Sequence, residues 1–295
     1  MLSASTIFQE IFDHDEAFGL FCSIAAAGEA QGGWENARIA ALVPASQADL
    51  APKIARHGAD EDKHGRLFTA LLAKRGLPPV PVPPDTDYTM RLEHAGIGLA
   101  HARLRGGQQL TEPDIVTYLA HSRVTEQRAS EQMRALRRYA GRRPDIGPAV
   151  AMISRDEDNH LAYCQEELLR LAAAGHRDII RSALRTAALA EITIYRDVST
   201  AVMSRLAPIL GWPRAKSAAL AAGIWALYLY ERLGGWRRMT SLHMPATRNA
   251  LGGPRPAHPR PHTRPRQATT NTTTPAGPET DELWLAKRSN RSLLR

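Results

Sequence analysis

Hydrophobic positions recur at helical spacing along most of the chain, and the alternation typical of strands is nearly absent. The pattern predicts a first helical region over residues 5–43 with a break near residues 13–15. After Pro44, a second helix is predicted to begin with Ser46 as its cap and to end before Gly76. These two segments are joined by a short turn, which favours a helical hairpin, and an extended proline-rich connector, LPPVPVPPD, follows them.

The second half of the chain repeats this arrangement and adds further helices. Their predicted ranges are 88–105, 111–141, 144–175 (beginning at Pro144 or Pro148), 177–210 and 213–238. Two hairpins of long helices joined by a long connection are the element order of a four-helix bundle with one crossover. We therefore expect an all-α protein in which residues 1–175 form a four-helix bundle with a long crossover between helices two and three. Residues 176–240 would add C-terminal helices that pack on it.

Residues 241–295 differ in composition from the rest of the chain. The formal net charge of the chain is +8, and residues 240–295 hold nine Lys/Arg against three Asp/Glu. This segment is rich in Pro, Arg and Thr and has little to bury, so we expect a disordered basic tail with a short terminal helix at ELWLAKRSNRSLLR. The tail could bind a nucleic acid or a partner, but it lacks interleaved aromatic residues. We expect it to act as a solubilising segment and expect no nucleic-acid partner.

The cysteine content and the apolar runs indicate a cytoplasmic protein. The two cysteines, Cys22 and Cys164, form no C-x-x-C motif, which is typical of a reducing compartment, and we expect no disulfide between them. The N-terminal residues do not have the pattern of a signal peptide. The longest apolar run, AALAAGIWALYLY, is too short to span a bilayer, so we expect no membrane association.

The phrase Asp-Glu-x-x-His occurs twice in the chain, both times in the middle of a predicted helix. Its copies are Asp60-Glu61-x-x-His64 and Asp156-Glu157-x-x-His160. Residues three apart share one face of a helix, so each copy can direct a carboxylate and an imidazole at one point. Composition alone would give only about 0.03 matches to this phrase, and two copies therefore indicate a shared purpose.

A dinuclear metal site in a bundle needs two further carboxylates, one from each partner helix. In a hairpin, residues equally distant from the turn lie at equal depth. Glu29 is level with Glu61, whereas Glu35 misses that depth by about 12 Å at a rise of 1.5 Å per residue. The same reasoning selects Glu126 over Glu131 as the carboxylate that lies level with Glu157 of the second copy.

The predicted ligands are thus four carboxylates and two imidazoles: Glu29, Glu61, His64, Glu126, Glu157 and His160. This donor set suits iron or manganese better than a metal that prefers thiolates. Two divalent ions carry four positive charges, which four carboxylates balance. We therefore expect two iron ions, with an Fe/Mn pair as an alternative.

This ligand order resembles that of the ferritin-like di-iron carboxylate superfamily, which includes rubrerythrins and several oxygen-activating enzymes of the doubled DExxH type. The resemblance covers about residues 15–175, and it implies that the four-helix bundle expected over residues 1–175 is a ferritin-like di-metal bundle. It implies that Glu61 and Glu157 bridge the metals, and that Glu29 with His64 and Glu126 with His160 complete the two coordination spheres. It also implies that aspartates such as Asp60 and Asp156 hold the ligand histidines by their other ring nitrogen.

Several residues near these motifs have open roles. His57 could join the site or support a ligand from beside it. Tyr163 could donate a hydrogen bond, relay an electron or serve only in packing. Gly28, Gly32 and Gly33 surround Glu29, where they could permit a close helix approach or a substrate cavity.

The resemblance implies a non-haem di-iron oxidoreductase that activates dioxygen and oxidises a small organic substrate. We expect the helices over residues 177–238, with Glu191, Tyr195 and Arg196, to roof the substrate cavity. The alternatives are a rubrerythrin-like peroxide scavenger or ferroxidase and a non-catalytic interaction protein. The expected partners are dioxygen or peroxide, a small-molecule substrate, an electron donor and a second copy in a homodimer.

Overall fold

The computed structural model of the protein describes residues 3–141 and 143–242, and within these residues all regular structure is helical. The bounds of its α-helices are α1 Ala4–Asp13, α2 Asp15–Leu42, α3 Ala51–Lys74, α4 Tyr88–His94, α5 His101–Arg105, α6 Glu112–Ala140, α7 Gly147–Leu171, α8 Arg177–Ile209, α9 Arg214–Tyr230 and α10 Arg237–Thr240. The expectation of an all-α protein is confirmed for the described residues.

Four long helices form the centre of this bundle-like packing. Helix α2 packs along α3, and α6 packs along α7, each pair being joined by a short connection. Helices α3 and α7 also contact each other, which brings the two hairpins together. The connection between α3 and α6 runs over residues 75–111 and carries α4 and α5, while α8 packs on α6.

Local sequence explains where α6 begins. The Thr111 hydroxyl accepts a hydrogen bond from the Asp114 backbone N–H at 3.3 Å, and the Asp114 carboxylate accepts one from the Thr111 backbone N–H at 2.8 Å. This reciprocal pair satisfies two N–H groups that a helix start leaves without partners. Pro113 occupies the first turn, where its missing N–H costs nothing.

Two predicted boundaries are wrong, for identifiable reasons. Helix α3 begins at Ala51 and not after Ser46, because a 3₁₀ turn over Ala45–Gln47 precedes it and Pro52 occupies its first turn. The helix predicted over residues 88–105 is two short helices, since the segment between them contains Gly96 and Gly98 with positive φ angles of 71° and 84°. Glycine adopts this left-handed backbone conformation without the strain that other residues incur.

The ends of the later helices also differ from the prediction. A π-helical turn over Ala172–His176 follows α7, and its Gly175 has a φ angle of 109°. The helix predicted over residues 213–238 is interrupted after Tyr230 by a second π-helical turn, Glu231–Gly235. Glu231 in this turn is buried, so the interruption brings a carboxylate into the interior.

The core consists of two hydrophobic clusters separated along the four long helices. The first packs around Leu50, Ile54, Leu119, Leu168 and Leu184. The second packs around Phe12, Phe18, Phe68, Leu136 and Ile153. Each of α2, α3, α6 and α7 contributes to a central layer of polar residues, the polar layer, which includes Glu29, Glu61, Glu126 and Glu157. On each of these helices, one cluster lies before the polar layer and the other lies after it. Packing at both ends therefore fixes the height of that layer.

An ion-pair network joins α6, α8 and the second π-helical turn. Arg128 donates hydrogen bonds to both carboxylate oxygens of Glu191, at 2.8 and 2.9 Å, and to both oxygens of Glu231, at 3.0 and 2.9 Å. All three side chains are buried. Burial alone would lower the pKa of Arg128, but these carboxylates raise it above its ordinary value. Arg128 therefore remains charged and holds the added helices to the bundle.

The structure bears differently on the predictions about the membrane, the domains, the tail and the cysteines. No helix among residues 3–141 and 143–242 is both long and apolar enough to cross a membrane. The division into 1–175 and 176–240 and the cytoplasmic location stay predictions. The predicted tail lies, apart from residues 241–242, outside the described residues. Cys22 and Cys164 are free thiols buried in different clusters.

We expect the substitution Arg128→Leu to lower the free energy of unfolding by about 3–5 kcal/mol, because it removes the arginine that pairs with two buried carboxylates. Chemical denaturation followed by circular dichroism would measure this. The matched control is Arg181→Leu, which removes an exposed arginine that pairs with exposed Asp178 on the same helix and should change stability little. Equal effects of the two substitutions would contradict the structural role of Arg128.

Candidate metal centre

The structure brings the predicted side chains together in the polar layer, in two groups that share Glu61. One group consists of Glu29, Glu61, His64 and Glu157, and the other of His57, Glu61, Glu126 and His160. In each group one ligand atom per residue lies within 4.8 Å of those of all the others. The assignment of these residues as metal ligands stays a prediction, but their arrangement offers two adjacent sites with a common carboxylate.

The competing acidic residues lie elsewhere. Glu35, six residues after Glu29 on α2, accepts a hydrogen bond from His101 Nε2 at 2.7 Å. Glu131 accepts one from Arg238 Nε at 3.0 Å. The depth argument, which selected Glu29 and Glu126, therefore agrees with the positions that the helices give these carboxylates.

The aspartates of the two motifs contact histidines, and they do so across the bundle. Asp156 Oδ2 lies 3.2 Å from His64 Nε2, and Asp60 Oδ2 lies 3.6 Å from His160 Nε2. Each aspartate thus faces the histidine of the other motif and not the one four residues later on its own helix. The crossed pairing turns the Nε2 side of each ring toward an aspartate, by a hydrogen bond for His64 and by a longer contact, beyond hydrogen-bond distance, for His160.

Lys63 is a functional candidate that the sequence reasoning missed. Its ammonium group lies 2.5 Å from Asp60 Oδ1 and 2.7 Å from Asp156 Oδ2, between the two motifs. Burial alone would lower the pKa of Lys63, but the two aspartates raise it. The lysine therefore stays protonated and ties α3 to α7 beside the histidines. The only sequence signal was its position within the first motif.

His57 belongs to the polar layer. Its Nε2 atom lies 3.1 Å from Glu61 Oε1 and 3.2 Å from Glu126 Oε1. Its Nδ1 atom lies 2.8 Å from the Tyr163 hydroxyl, which in turn lies 2.7 Å from the Tyr118 hydroxyl. Tyr163 therefore contacts the site through His57, and a chain of hydrogen bonds leads from the carboxylates into the first hydrophobic cluster.

The electrostatics of the layer show a shortage of positive charge. Burial, with the neighbouring Glu61 carboxylate, raises the pKa of Glu29 well above its usual range. Burial, with Glu126 close by, does the same to the pKa of Glu157. Burial would also raise the pKa of Glu126, but the facing His57 imidazole holds it well below its usual range. Without a cation, two of these carboxyl groups are pushed toward the protonated form.

Unsatisfied polar atoms at the same place fit a metal site. Glu126 Oε2 and both ring nitrogens of His160 are buried and have no hydrogen-bond partner among the described residues. Buried polar atoms without partners are costly, so they require an explanation. Carboxylate oxygens and imidazole nitrogens are ligands that iron and manganese accept. A bound cation would satisfy Glu126 Oε2 and His160 Nδ1 and neutralise the carboxylates, while His160 Nε2 faces Asp60.

Glycines allow α2 and α3 to approach closely enough to form this layer. A Cβ atom on Gly32 would lie 2.8 Å from Glu61 Oε2, and one on Gly33 would lie 2.4 Å from Asp62 Oδ1. A Cβ atom on Gly58 would lie 3.1 Å from the backbone of α2. Gly32 therefore leaves room for the shared carboxylate, whereas Gly28 has space for a methyl group.

A cavity of about 610 Å³ reaches the two groups. Glu29, Glu61, Glu126 and Glu157 line it at the polar layer. Helices α8 and α9 contribute to its wall, as expected, and Tyr195 lines it. Glu191 does not line the cavity but is bound to Arg128 behind the wall, and Arg196 lies over the ring of Tyr228 outside it.

We expect Gly32→Ala to weaken the binding of divalent metal by about tenfold or more, because the added methyl group displaces the Glu61 carboxylate. An anaerobic ferrous iron titration against a competing chelator would measure the affinity. The matched control on the same helix is Gly28→Ala, whose Cβ would meet only Thr89 Oγ1 at 3.8 Å. If both variants bound iron equally well, Glu61 would not be the shared ligand.

Comparison of the chain with protein-family models, with curated proteins and with solved structures finds no match. Inferences about function therefore rest on the side chains described above.

Proposed function

We propose that the protein is a ferritin-like di-iron oxidoreductase that activates dioxygen and oxidises a small organic substrate. The observation that carries the proposal is the pair of ligand groups that share Glu61 at the wall of a substrate-sized cavity. The order of the ligands on two helical hairpins separated by a long connection supports the ferritin-like topology.

Each proposed iron would be held by side chains from both hairpins. Glu29, His64 and Glu157 with Glu61 would hold one ion, and Glu126, His160 and His57 with Glu61 would hold the other. Bound iron would supply the redox chemistry with dioxygen, which carboxylates and imidazoles do not perform by themselves. The same ligands accept manganese, so an Fe/Mn pair remains the alternative.

The surrounding residues have definable tasks in this scheme. Asp60 and Asp156 orient the two ligand histidines, and Lys63 balances the charge of both aspartates. Tyr163 holds His57 by its Nδ1 atom, so that Nε2 faces Glu61 and Glu126. The largely apolar wall of the cavity lowers the polarity around the carboxylates, which strengthens electrostatic interactions there.

The cavity favours oxidation of an organic substrate over the alternatives. A peroxide scavenger or a ferroxidase needs access only for peroxide or iron, whereas this cavity has the volume of a small-molecule site, about 300–1,000 Å³. A non-catalytic interaction protein would have no need for the buried, unsatisfied atoms of Glu126 and His160. The electron donor, the homodimer and the cytoplasmic location stay predictions.

We expect the full-length protein to bind two ferrous ions per chain and to consume dioxygen. The double variant His64→Ala and His160→Ala should lose most of this binding, because each substitution removes a nitrogen ligand from one ion. Metal analysis after gel filtration would measure the stoichiometry. The matched control is His14→Ala with His94→Ala, which removes two exposed histidines far from the layer in sequence. Unchanged iron loading in the first double variant would refute the proposal.

A comparison of oxidants separates the two enzyme functions. Iron-loaded protein would be mixed with dioxygen and with hydrogen peroxide in parallel, and the oxidation of iron would be followed by its absorbance. Faster reaction with dioxygen supports the proposed function. Efficient turnover with peroxide alone would favour the scavenger.

A further inference from the structure

We propose that the cavity binds a linear alkyl chain, so that the substrate class of the proposed oxidoreductase is a straight-chain aliphatic compound. This inference rests on the proposed function for its catalytic meaning, although the binding site stands on the shape and chemistry of the cavity alone. Its evidence comes from the length of the cavity, the character of its wall and the position of its open end.

The cavity is elongated. Its lining on α2 extends from Phe21 to Ile39, and its lining on α6 extends from Tyr118 to Leu136. Each stretch covers about 27 Å at the rise of an α-helix, whereas a compact cavity of the same volume would be only about 10 Å across. A long space of limited volume fits an extended chain better than a compact ring system.

The wall between the polar layer and the outer end is apolar. Helix α1 contributes Ile7 and Phe8, and α6 contributes Met133. Helix α8 contributes Val202 and Met203. A ligand in this section is stabilised by burying apolar surface. The hydrophobic effect is non-directional, so each methylene group that is buried contributes to binding.

Several polar side chains in the wall are engaged with the protein. Arg128 donates to Glu191 and Glu231, and the Tyr88 hydroxyl donates to Glu191 at 3.0 Å. The Thr86 hydroxyl donates to the Pro83 carbonyl at 2.7 Å. Specific recognition of a polar substrate would require polar groups that point into the cavity with capacity to spare. These three side chains have partners already. His121 also lines the cavity, and its Nε2 atom has no hydrogen-bond partner among the described residues, but it precedes Glu126 on α6 and lies on the other side of the polar layer from Met133.

The cavity reaches exposed residues of α1 and α6. Ala4 and Gln132 line the cavity and are exposed, and Leu220 of α9 also lines it. From Leu136 to Glu126 the wall of α6 extends about 15 Å. A chain that enters at this end therefore passes along the apolar section and places a carbon near the carboxylates.

The length of the alkyl chain provides the test. Binding of straight-chain primary alcohols, from hexanol to tetradecanol, to the full-length protein would be measured by titration calorimetry. Affinity should rise about fourfold for each added methylene until the chain fills the cavity, and should then level off. Decanol should bind more tightly than adamantanol, which has the same number of carbons in a compact cage.

A substitution that shortens the cavity should move this plateau. Ala129 lines the cavity one turn from Glu126, and Ala129→Phe should cause the rise to stop at a shorter alcohol. Val202→Phe on α8 offers a second route to the same result if the first variant fails to fold by circular dichroism. The matched control is Ala70→Phe, at an exposed position of α3 outside the cavity, which should leave the series unchanged.

Affinity that does not depend on chain length would overturn the inference. Tighter binding of adamantanol than of decanol would also overturn it, and so would an equal shift of the plateau in the Ala129→Phe and Ala70→Phe variants. Because the readout is heat of binding, it is independent of iron and of turnover. A protein that binds alcohols as expected but loads no iron would retain the alkyl site and lose the proposed function. A protein that loads two irons but shows no length dependence would retain the proposed function and lose the alkyl site.

Discussion

The structure depends on placing four carboxylates, two of them buried and two partly buried, in one layer of a helical bundle. An ionised carboxylate loses hydration when it is buried, and the cost is large unless a cation or several hydrogen bonds replace the water. His57 faces Glu61 and Glu126, but the nearby ammonium group of Lys63 contacts the two aspartates outside the layer. The positive charge within the layer is therefore too small for its four carboxylates, and the pKa values of Glu29 and Glu157 rise with burial as a result.

The rest of the molecule holds this costly layer in place. Two hydrophobic clusters, one on each side, fix the height of the layer on all four long helices. Gly32 leaves the space that the Glu61 carboxylate occupies, and the crossed contacts of Asp60 and Asp156 orient the histidines. Two bound cations would explain why four carboxylates lie so close together, since electrostatic repulsion between them would otherwise favour separation of the helices.

The central part of the site could be predicted from the sequence because it depends on local geometry. The three-residue spacing of Glu61 and His64 follows from one helical turn, and the level of Glu29 follows from counting outward from a tight turn. The α6 start at Thr111 could likewise be predicted, since its capping residues are neighbours in the sequence. Each of these features requires only one helix or one hairpin.

Other features depend on contacts between hairpins, and the sequence pattern does not contain them. The exchange of aspartates between the motifs and the bridging role of Lys63 require the relative rotation of α3 and α7. The carboxylate of Glu231 reaches Arg128 only because a π-helical turn interrupts the last predicted helix. Tyr118 carried no motif, and its hydrogen bond to Tyr163 became evident only from the packing of α6 on α7.

The most direct test of the dinuclear centre is anomalous X-ray diffraction at the iron absorption edge from crystals of the iron-loaded, full-length protein. The account predicts two anomalous peaks per chain, one within each ligand group, with the Glu61 carboxylate between them. A single peak, or peaks outside the layer formed by α2, α3, α6 and α7, would contradict it.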